Sequence, residues 1–241
     1  MSPGETKIVI VYDNQTTSGR LQPAWGFACL VSTAKRTLLF DTGGDGSILL
    51  GNMAGMGIDP RDIDTVVLSH AHGDHAGGLP QFLAENSSVT VCMGASFPRQ
   101  FKSMVTAAGA SLQEVSRPAK INEEILTTGE MNGGIPEQSL VVNTSRGSVV
   151  VTGCAHPGVV TIAGKAKEIG DGRLRLVLGG FHLGWASVQS VGRVMEELAA
   201  LGVEQVCPCH CTGDQARDLF EQRFGPACFH CGVGRTISLP D

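Results

Sequence analysis

Three histidines and one aspartate lie within six positions of the stretch VVLSHAHGDHAGGL, residues 66–79. They are His70, His72, Asp74 and His75, in a chain that has 7 histidines in all. Alternate side chains of such a segment point towards one position, while their neighbours serve a second position close by. Imidazole and carboxylate groups bind zinc, and zinc with an open coordination position makes water a nucleophile near neutral pH. The spacing therefore predicts two adjacent metal ions at a catalytic site.

Short apolar runs must position these side chains. Nine runs rich in β-branched residues predict strands, namely KIVIVYD, GFACLVS, RTLLFD, DTVVLS, SVTVCM, SLVVNT, SVVVTG, LRLVLGG and VEQVCP. They alternate with five helical patterns, over residues 47–56, 97–108, 159–169, 187–201 and 213–224, and with glycine-containing turns, which is typical of an α/β fold. Most of the histidines directly follow an apolar run, within TVVLSHAHGDH, SVVVTGCAH, LRLVLGGFH and EQVCPCH. Because the strand ends of one α/β layer open onto a common edge, we expect these histidines to line one crevice. They are His70, His72, His75, His156, His182 and His210.

The composition favours a globular protein and argues against several classes of partner. The chain has 241 residues, of which 42% are hydrophobic and 17% are charged, which is typical of a folded domain. Its net charge of −5 and its lack of lysine or arginine runs argue against nucleic acid and anionic membranes as partners. The apolar stretch near the amino terminus is too short for a signal peptide or a membrane span. We therefore expect a cytoplasmic protein with one domain over residues 1–241.

The stretch HAHGDH is similar to the HxHxDH signature of the metallo-β-lactamase superfamily, and LLFDTGG at residues 38–44 resembles its upstream aspartate motif. The likeness continues in order through VTGCAHPGVV, VLGGFHLG and PCHCTG. It implies an αββα sandwich, in which two β-sheets are flanked by helices. It also implies that one metal ion is held by His70, His72 and His156, and the second by Asp74, His75 and His210. Asp41 is then the residue that orients the ligand loop.

Within the superfamily, these motifs resemble the branch that contains the archaeal dihydropteroate-type synthase of methanopterin formation. Enzymes of that kind join a dihydropterin-methyl diphosphate to a ribofuranosylaminobenzene phosphate, so the resemblance implies a phosphate-bearing small-molecule substrate. Similar sequences are metal-dependent hydrolases, and a likeness of fold does not identify the reaction. Hydrolysis, transfer, and binding of a metal or phosphorylated ligand without turnover therefore stay open. Zinc is the expected metal, and manganese and iron fit the same mixed ligands.

One position departs from the superfamily pattern. Members commonly supply an aspartate that bridges both metals after the strand that corresponds to LRLVLGG, whereas this chain continues with Phe181 and His182. If neutral His182 takes that place, the site loses one negative charge and favours phosphate or diphosphate oxygens. The alternative is that His182 hydrogen-bonds the substrate or a backbone carbonyl. Asp74 and His182 are the predicted catalytic residues.

The cysteines offer a different metal site. The segments CPCHC and CFHC supply thiols, although their spacing is weaker than that of paired CxxC motifs. An extended conformation over residues 206–212 would put Cys207, Cys209 and Cys211 on one face and His210 on the other. We therefore expect His210 to serve the catalytic site and the cysteines to be reduced and buried, with a structural zinc site as the alternative.

Overall fold

The computed structural model describes residues 5–33 and 36–240. The chain divides into two compact units, of which the first comprises Met1–Ser116 with Gly232–Asp241 and the second comprises Arg117–Cys231. Each unit contains one β-sheet with helices packed against it. That the two units make up the single domain expected over residues 1–241 stays a prediction.

Strands make up the two sheets, and helices connect many of them. The strands are β1 (Glu5–Tyr12), β2 (Ala28–Ser32), β3 (Thr37–Phe40), β4 (Thr65–Val67), β5 (Thr90–Gly94), β6 (Ser111–Val115), β7 (Ala119–Lys120), β8 (Ile125–Thr127), β9 (Leu140–Thr144), β10 (Gly147–Thr152), β11 (Leu174–Gly180), β12 (Val203–Cys209) and β13 (Thr236–Pro240). The α-helices are α1 (Gly46–Gly55), α2 (Gly73–Ala76), α3 (Leu79–Glu85), α4 (Arg99–Ala107), α5 (Val159–Ile169), α6 (Val188–Leu201) and α7 (Asp214–Phe224). Short 3₁₀ helices cover Pro60–Asp62, His210–Thr212 and Gly225–Ala227.

The sheet of the first unit has the strand order β13-β1-β2-β3-β4-β5-β6. Strands β3 to β6 run parallel to one another, and Phe40 at the end of β3 pairs with Val67 at the end of β4. Helix α1 packs against β1 and α3. Because β3 and β4 end at the same level, the segments that follow them start side by side, and these segments carry Asp41 and His70.

The sheet of the second unit has the strand order β12-β11-β10-β9-β8-β7. Strands β10, β11 and β12 are parallel, and Thr152, Gly179 and Pro208 pair across them near their carboxyl ends. Helix α5 packs against β10 and β11, while α6 and α7 pack against β12. The register brings the segments that carry His156, His182 and His210 to one edge of this sheet.

The elements expected from apolar patterning are present, and the shorter ones are additional. Nine expected strands correspond to β1–β5 and β9–β12, and the five expected helices correspond to α1 and α4–α7. Strands β6, β7, β8 and β13 and helices α2 and α3 were not anticipated. Strand β6 reads SLQEV and is mostly not buried, so it lacks an apolar run. Within the described residues, no helix is long and apolar enough to cross a membrane.

The cysteines differ in part from the expectation. Cys207 and Cys231 form a disulfide within the second unit, so the expectation of reduced thiols is wrong for this pair. The bond also uses two of the sulfurs on which a structural zinc site would depend. Strand β12 ends at Cys209 and a 3₁₀ helix follows, so Cys211 does not continue the extended alternation.

Candidate metal centre

Four non-glycine residues with positive φ follow the carboxyl ends of four strands. Among the described residues, the non-glycine residues with positive φ are Asp41 (58°), Ala155 (60°), His182 (52°) and His210 (49°). Each follows the carboxyl end of a strand, namely β3, β10, β11 and β12. Such residues are uncommon and concentrate at functional sites, where the surrounding structure compensates for the strain. Three of the four were predicted from the sequence as site residues, and the fourth precedes His156.

In the first unit, the buried carboxylate of Asp41 organises the histidine loop. Its Oδ1 accepts the backbone N–H of Ser69 at 2.7 Å, and its Oδ2 accepts the Ser69 hydroxyl at 2.7 Å. The same Oδ2 lies 2.7 Å from Nδ1 of His75. One carboxylate therefore fixes both the start of the loop, at Ser69, and a histidine six residues further along, which fits the orienting role expected of Asp41.

These contacts determine which ring nitrogens of the first unit face a ligand. The Ser69 hydroxyl donates its proton to Asp41, so it accepts from Nδ1 of His70, which lies 2.9 Å away. His70 and His75 therefore carry their proton on Nδ1, which places the lone pair of each ring on Nε2.

The ligand atoms of the first unit fall into two pairs. Nε2 of His70 lies 3.1 Å from Nδ1 of His72, and Nε2 of His75 lies 3.8 Å from Oδ2 of Asp74. Two ligands that each lie about 2.0–2.2 Å from one zinc ion are separated by about 3–4 Å. The His70 and His75 rings are neighbours, with centroids 4.2 Å apart. The first unit thus brings together four predicted ligands as two adjacent pairs.

In the second unit, the carboxylate that organises the donor loop is Glu137, which is 1% exposed. Its Oε1 accepts three consecutive backbone N–H groups, from Gly153 at 3.1 Å and from Cys154 and Ala155 at 2.9 Å. Its Oε2 lies 2.9 Å from the backbone nitrogen of His156 and 2.8 Å from Nδ1 of the same residue. Glu137 therefore fixes the loop after β10 and turns Nε2 of His156 away from the carboxylate, as Asp41 does for His75.

The remaining donors of the second unit stand after its three parallel strands. The ligand atoms of Cys154, His156 and His182 lie within 4.8 Å of one another, and so do those of Cys154, His210 and Cys211. The rings of His156 and His182 have centroids 4.7 Å apart. The second unit thus brings together the three histidines expected from its strand ends and adds two thiols.

Two side chains of this cluster, His182 and Cys211, form a hydrogen bond with each other, and both have shifted pKa values. Hydrogen bonding to Cys154, and next to His182, lowers the pKa of the Cys211 thiol to about 4, although burial raises it. The hydrogen bond with Cys211 raises the pKa of His182, although burial lowers it. His182 therefore lies beside the acidified thiol of Cys211, and the charge of Glu137 also raises its pKa.

Four members of these clusters were not predicted from the sequence, namely Ser69, Glu137, Cys154 and Cys211. The two cysteines carried a usable signal, since Cys154 lies two residues from His156 and Cys211 lies next to His210. The combined donors are imidazole nitrogens, carboxylate oxygens and thiol sulfurs, a set that fits zinc, iron or manganese. Each unit by itself therefore has the side chains that a divalent transition metal requires.

The metallo-β-lactamase superfamily model matches residues 26–210 of the chain. The chain is 28% identical to the 7,8-dihydropterin-6-methyl-4-(β-D-ribofuranosyl)-aminobenzene-5'-phosphate synthase of Methanocaldococcus jannaschii, over 85% of each sequence. The aligned region therefore covers most of each protein.

Solved structures agree with this match. Tm1679, described as a metal-dependent hydrolase of the β-lactamase superfamily, is 30% identical and has a TM-score of 0.83 over 98% of this chain and 100% of its own. The metallo-β-lactamase fold protein YhfI of Bacillus subtilis is 12% identical, with a TM-score of 0.70 over 98% of this chain and 100% of its own, and shows likeness of fold alone. The predicted fold class, with two β-sheets flanked by helices, is confirmed. The chain belongs to the metallo-β-lactamase superfamily.

Proposed function

We propose that the chain is a metal-dependent enzyme that holds two divalent metal ions and acts on a phosphate- or diphosphate-bearing small molecule. One ion is assigned to His70, His72 and His156, and the other to Asp74, His75 and His210. The observation that carries this proposal is the same in both units: a buried carboxylate holds Nδ1 of a histidine, His75 in one and His156 in the other. That arrangement is the usual support of a metal-binding histidine.

Divalent ions supply Lewis acidity at such a site, because they polarise phosphoryl oxygens and make water more acidic. The side chains of the protein position and move protons around them. Asp74 lies in the first turn of the short helix α2 and has a partly exposed carboxylate, which is placed to accept a proton from an incoming nucleophile. His182 stands on the loop after β11 and has a raised pKa, so it holds a proton for the leaving group. Asp74 and His182 are therefore the proposed catalytic residues.

The named relatives support two types of reaction, which need the same ligands. In hydrolysis, water attacks phosphorus and loses one proton, the bond from phosphorus to the leaving oxygen breaks, and that oxygen takes up a proton. In transfer, the nitrogen of an aromatic amine bonds to the methylene carbon of a dihydropterin-methyl diphosphate. The carbon–oxygen bond to diphosphate breaks, and the amine loses a proton. The likeness to a synthase over 85% of each sequence is the reason for keeping transfer as a second candidate reaction beside hydrolysis.

Removal of metal is expected to abolish turnover, and zinc, manganese or iron is expected to restore it. Elemental analysis of the reconstituted protein should find about two ions per chain, as the two ligand sets require. Diphosphate release from a dihydropterin-methyl diphosphate is measured with and without the aminobenzene ribofuranosyl phosphate. Release that needs the amine identifies transfer, whereas release in water alone identifies hydrolysis.

The matched variants in this experiment are His72→Ala and His230→Ala. His230 lies on the surface beside Glu221 and should be dispensable, whereas His72→Ala should lose metal and turnover together. Full turnover after complete metal removal would contradict the proposed function. Tight binding of the diphosphate without any product would instead identify a binding protein.

The indole of Trp185 is expected to contact an aromatic substrate. It is fully exposed, three residues after His182, on the loop between β11 and α6. Trp185→Ala should raise KM for a pterin substrate about three- to tenfold with little change in kcat, because an aromatic stacking pair contributes about 0.5–1.5 kcal/mol. Val188→Ala, at an exposed apolar position of α6, is the control. An unchanged KM for the Trp185 variant would place the substrate ring elsewhere.

A further inference from the structure

We infer that the thiolate of Cys154 bridges the two metal ions, in the place where other members of the superfamily supply an aspartate. The inference rests on the proposed function, because it takes His156 and His210 as ligands of different ions. It differs from the first of the two alternatives that the sequence left open for His182, in which this histidine takes the place of the missing aspartate.

The first support is the position of Cys154 between the two ligand sets of the second unit. Its sulfur lies within 4.8 Å of the ligand atoms of His156 and His182, and also within 4.8 Å of those of His210 and Cys211. Among the donors described in this unit, Cys154 is the one that both groups share. A bridging atom must be close to a ligand of each ion, and Cys154 meets that condition.

The second support is the end of strand β11, where the bridging aspartate is expected. Gly179 and Gly180 have no side chain, and Phe181 is buried against Phe220, with ring centroids 5.4 Å apart. A Cβ on Gly180 would lie 2.6 Å from Sγ of Cys211 and 3.2 Å from Cα of Cys154. Groups from the neighbouring strand ends therefore occupy the space that a side chain at position 180 would need.

The third support is the rigidity of the loop that carries Cys154. The carboxylate of Glu137 accepts the backbone N–H of Cys154 and those of its two neighbours, Gly153 and Ala155. Ala155 also has a positive φ. Cys154 itself is 4% exposed. A buried thiol on a loop that is already ordered can bind metal with little reorganisation.

The chemistry of a thiolate suits a bridging position. A thiol that binds a divalent ion releases one proton to solvent and leaves a sulfur with one negative charge, the same charge as the missing carboxylate. Soft thiolate ligands favour zinc and iron over magnesium and calcium. A Cys154 bridge would therefore restore the charge that the sequence loses after β11.

The competing donors are less well placed. His182 is exposed, shares a hydrogen bond with Cys211, and belongs to the His156 group alone. Cys211 belongs to the His210 group alone. Each of these residues therefore lies near the ligands of one ion, whereas a bridge must reach both.

Titration of the metal-free protein with cobalt(II) tests the inference through a spectroscopic signal that does not depend on activity. A cobalt-bound thiolate gives charge-transfer absorption in the near ultraviolet. If Cys154 bridges, this absorption should rise through both equivalents of cobalt. In Cys154→Ser the band should be lost, and the second ion should bind more than about 100-fold more weakly, since even loss of an outer-shell partner costs about 10- to 100-fold.

Three variants serve as comparisons. Cys211→Ser, in the same cluster, and Cys29→Ser, a buried thiol of the first unit, should keep the band. Cys154→Asp should bind two ions without the band, because a carboxylate takes over the bridge, and it provides a result if the serine variant does not fold.

Several results would overturn the bridge while leaving the proposed function intact. One is that the unmodified protein binds two cobalt ions without a thiolate band. Another is that the band is complete after one equivalent of cobalt. The third is that the band is absent from Cys211→Ser but present in Cys154→Ser. If the unmodified protein binds no metal under any condition, the proposed function itself is wrong, and the inference is wrong with it.

Discussion

Asp41→Asn is expected to bind metal about 10- to 100-fold more weakly than the unmodified protein, the usual effect of removing a residue that orients metal ligands. The carboxylate accepts three hydrogen bonds, from the backbone and hydroxyl of Ser69 and from Nδ1 of His75. An amide has one acceptor oxygen and one donor nitrogen, so its NH₂ group faces at least one of these donors. Isothermal titration with zinc measures the loss of affinity.

The stability of the same variant is expected to fall as well. Each buried donor that loses its acceptor costs about 1–3 kcal/mol, so the free energy of unfolding of the metal-free protein should fall by roughly that amount. Asp59→Asn is the control, since Asp59 caps a short helix at the surface and pairs with Arg61. If Asp41→Asn keeps full affinity for both ions, Asp41 does not orient the ligands.

The donor positions of the first unit were accessible from the sequence because strand ends and ligand spacing are local features. Apolar runs mark β3 and β4, and a parallel pairing brings the residues after them together, so Asp41 and the HAHGDH segment fall at one edge. Ser69 was missed because serine before a histidine carries no pattern of its own. Its role depends on which way the proton of its hydroxyl points, and only the position of Asp41 determines that.

The missing parts of the second unit depend on contacts between distant residues. Glu137 stands in a glycine- and proline-rich stretch and binds groups 16 to 19 residues further along, so no helical or strand period marks it. The pairing of Cys207 with Cys231 spans 24 residues and cannot be chosen from eight cysteines by spacing alone. The surroundings of His182 depend on Cys211, which lies in the 3₁₀ helix after β12 and not in the extended strand that the sequence pattern suggested. In the second unit, local patterns thus identified β9–β12 and the histidines, but not Glu137 and Cys211, which contact those histidines.

Glu137→Gln is expected to weaken binding of the ion assigned to His156 by about 10- to 100-fold, while the other ion is less affected. The amide oxygen of glutamine can still accept the three backbone N–H groups that Oε1 accepts now. Its NH₂ group then faces the backbone N–H and Nδ1–H of His156, where a donor meets two donors. Glu137→Ala removes all five acceptor contacts and should unfold the loop or the unit, because each unsatisfied buried donor costs about 1–3 kcal/mol.

Nuclear magnetic resonance separates a positioning role of Glu137 from a purely structural one. In the unmodified protein, the Nδ1 proton of His156 should exchange slowly with solvent, because it is bonded to a buried carboxylate at 2.8 Å. Glu137→Gln should lose that signal while keeping the backbone amide signals of Gly153, Cys154 and Ala155. Glu168→Gln, at an exposed position that pairs with Lys165, should change neither the signal nor the metal affinity. A glutamine variant that keeps both the signal and full affinity would show that His156 finds its orientation without Glu137, and that the carboxylate serves the loop alone.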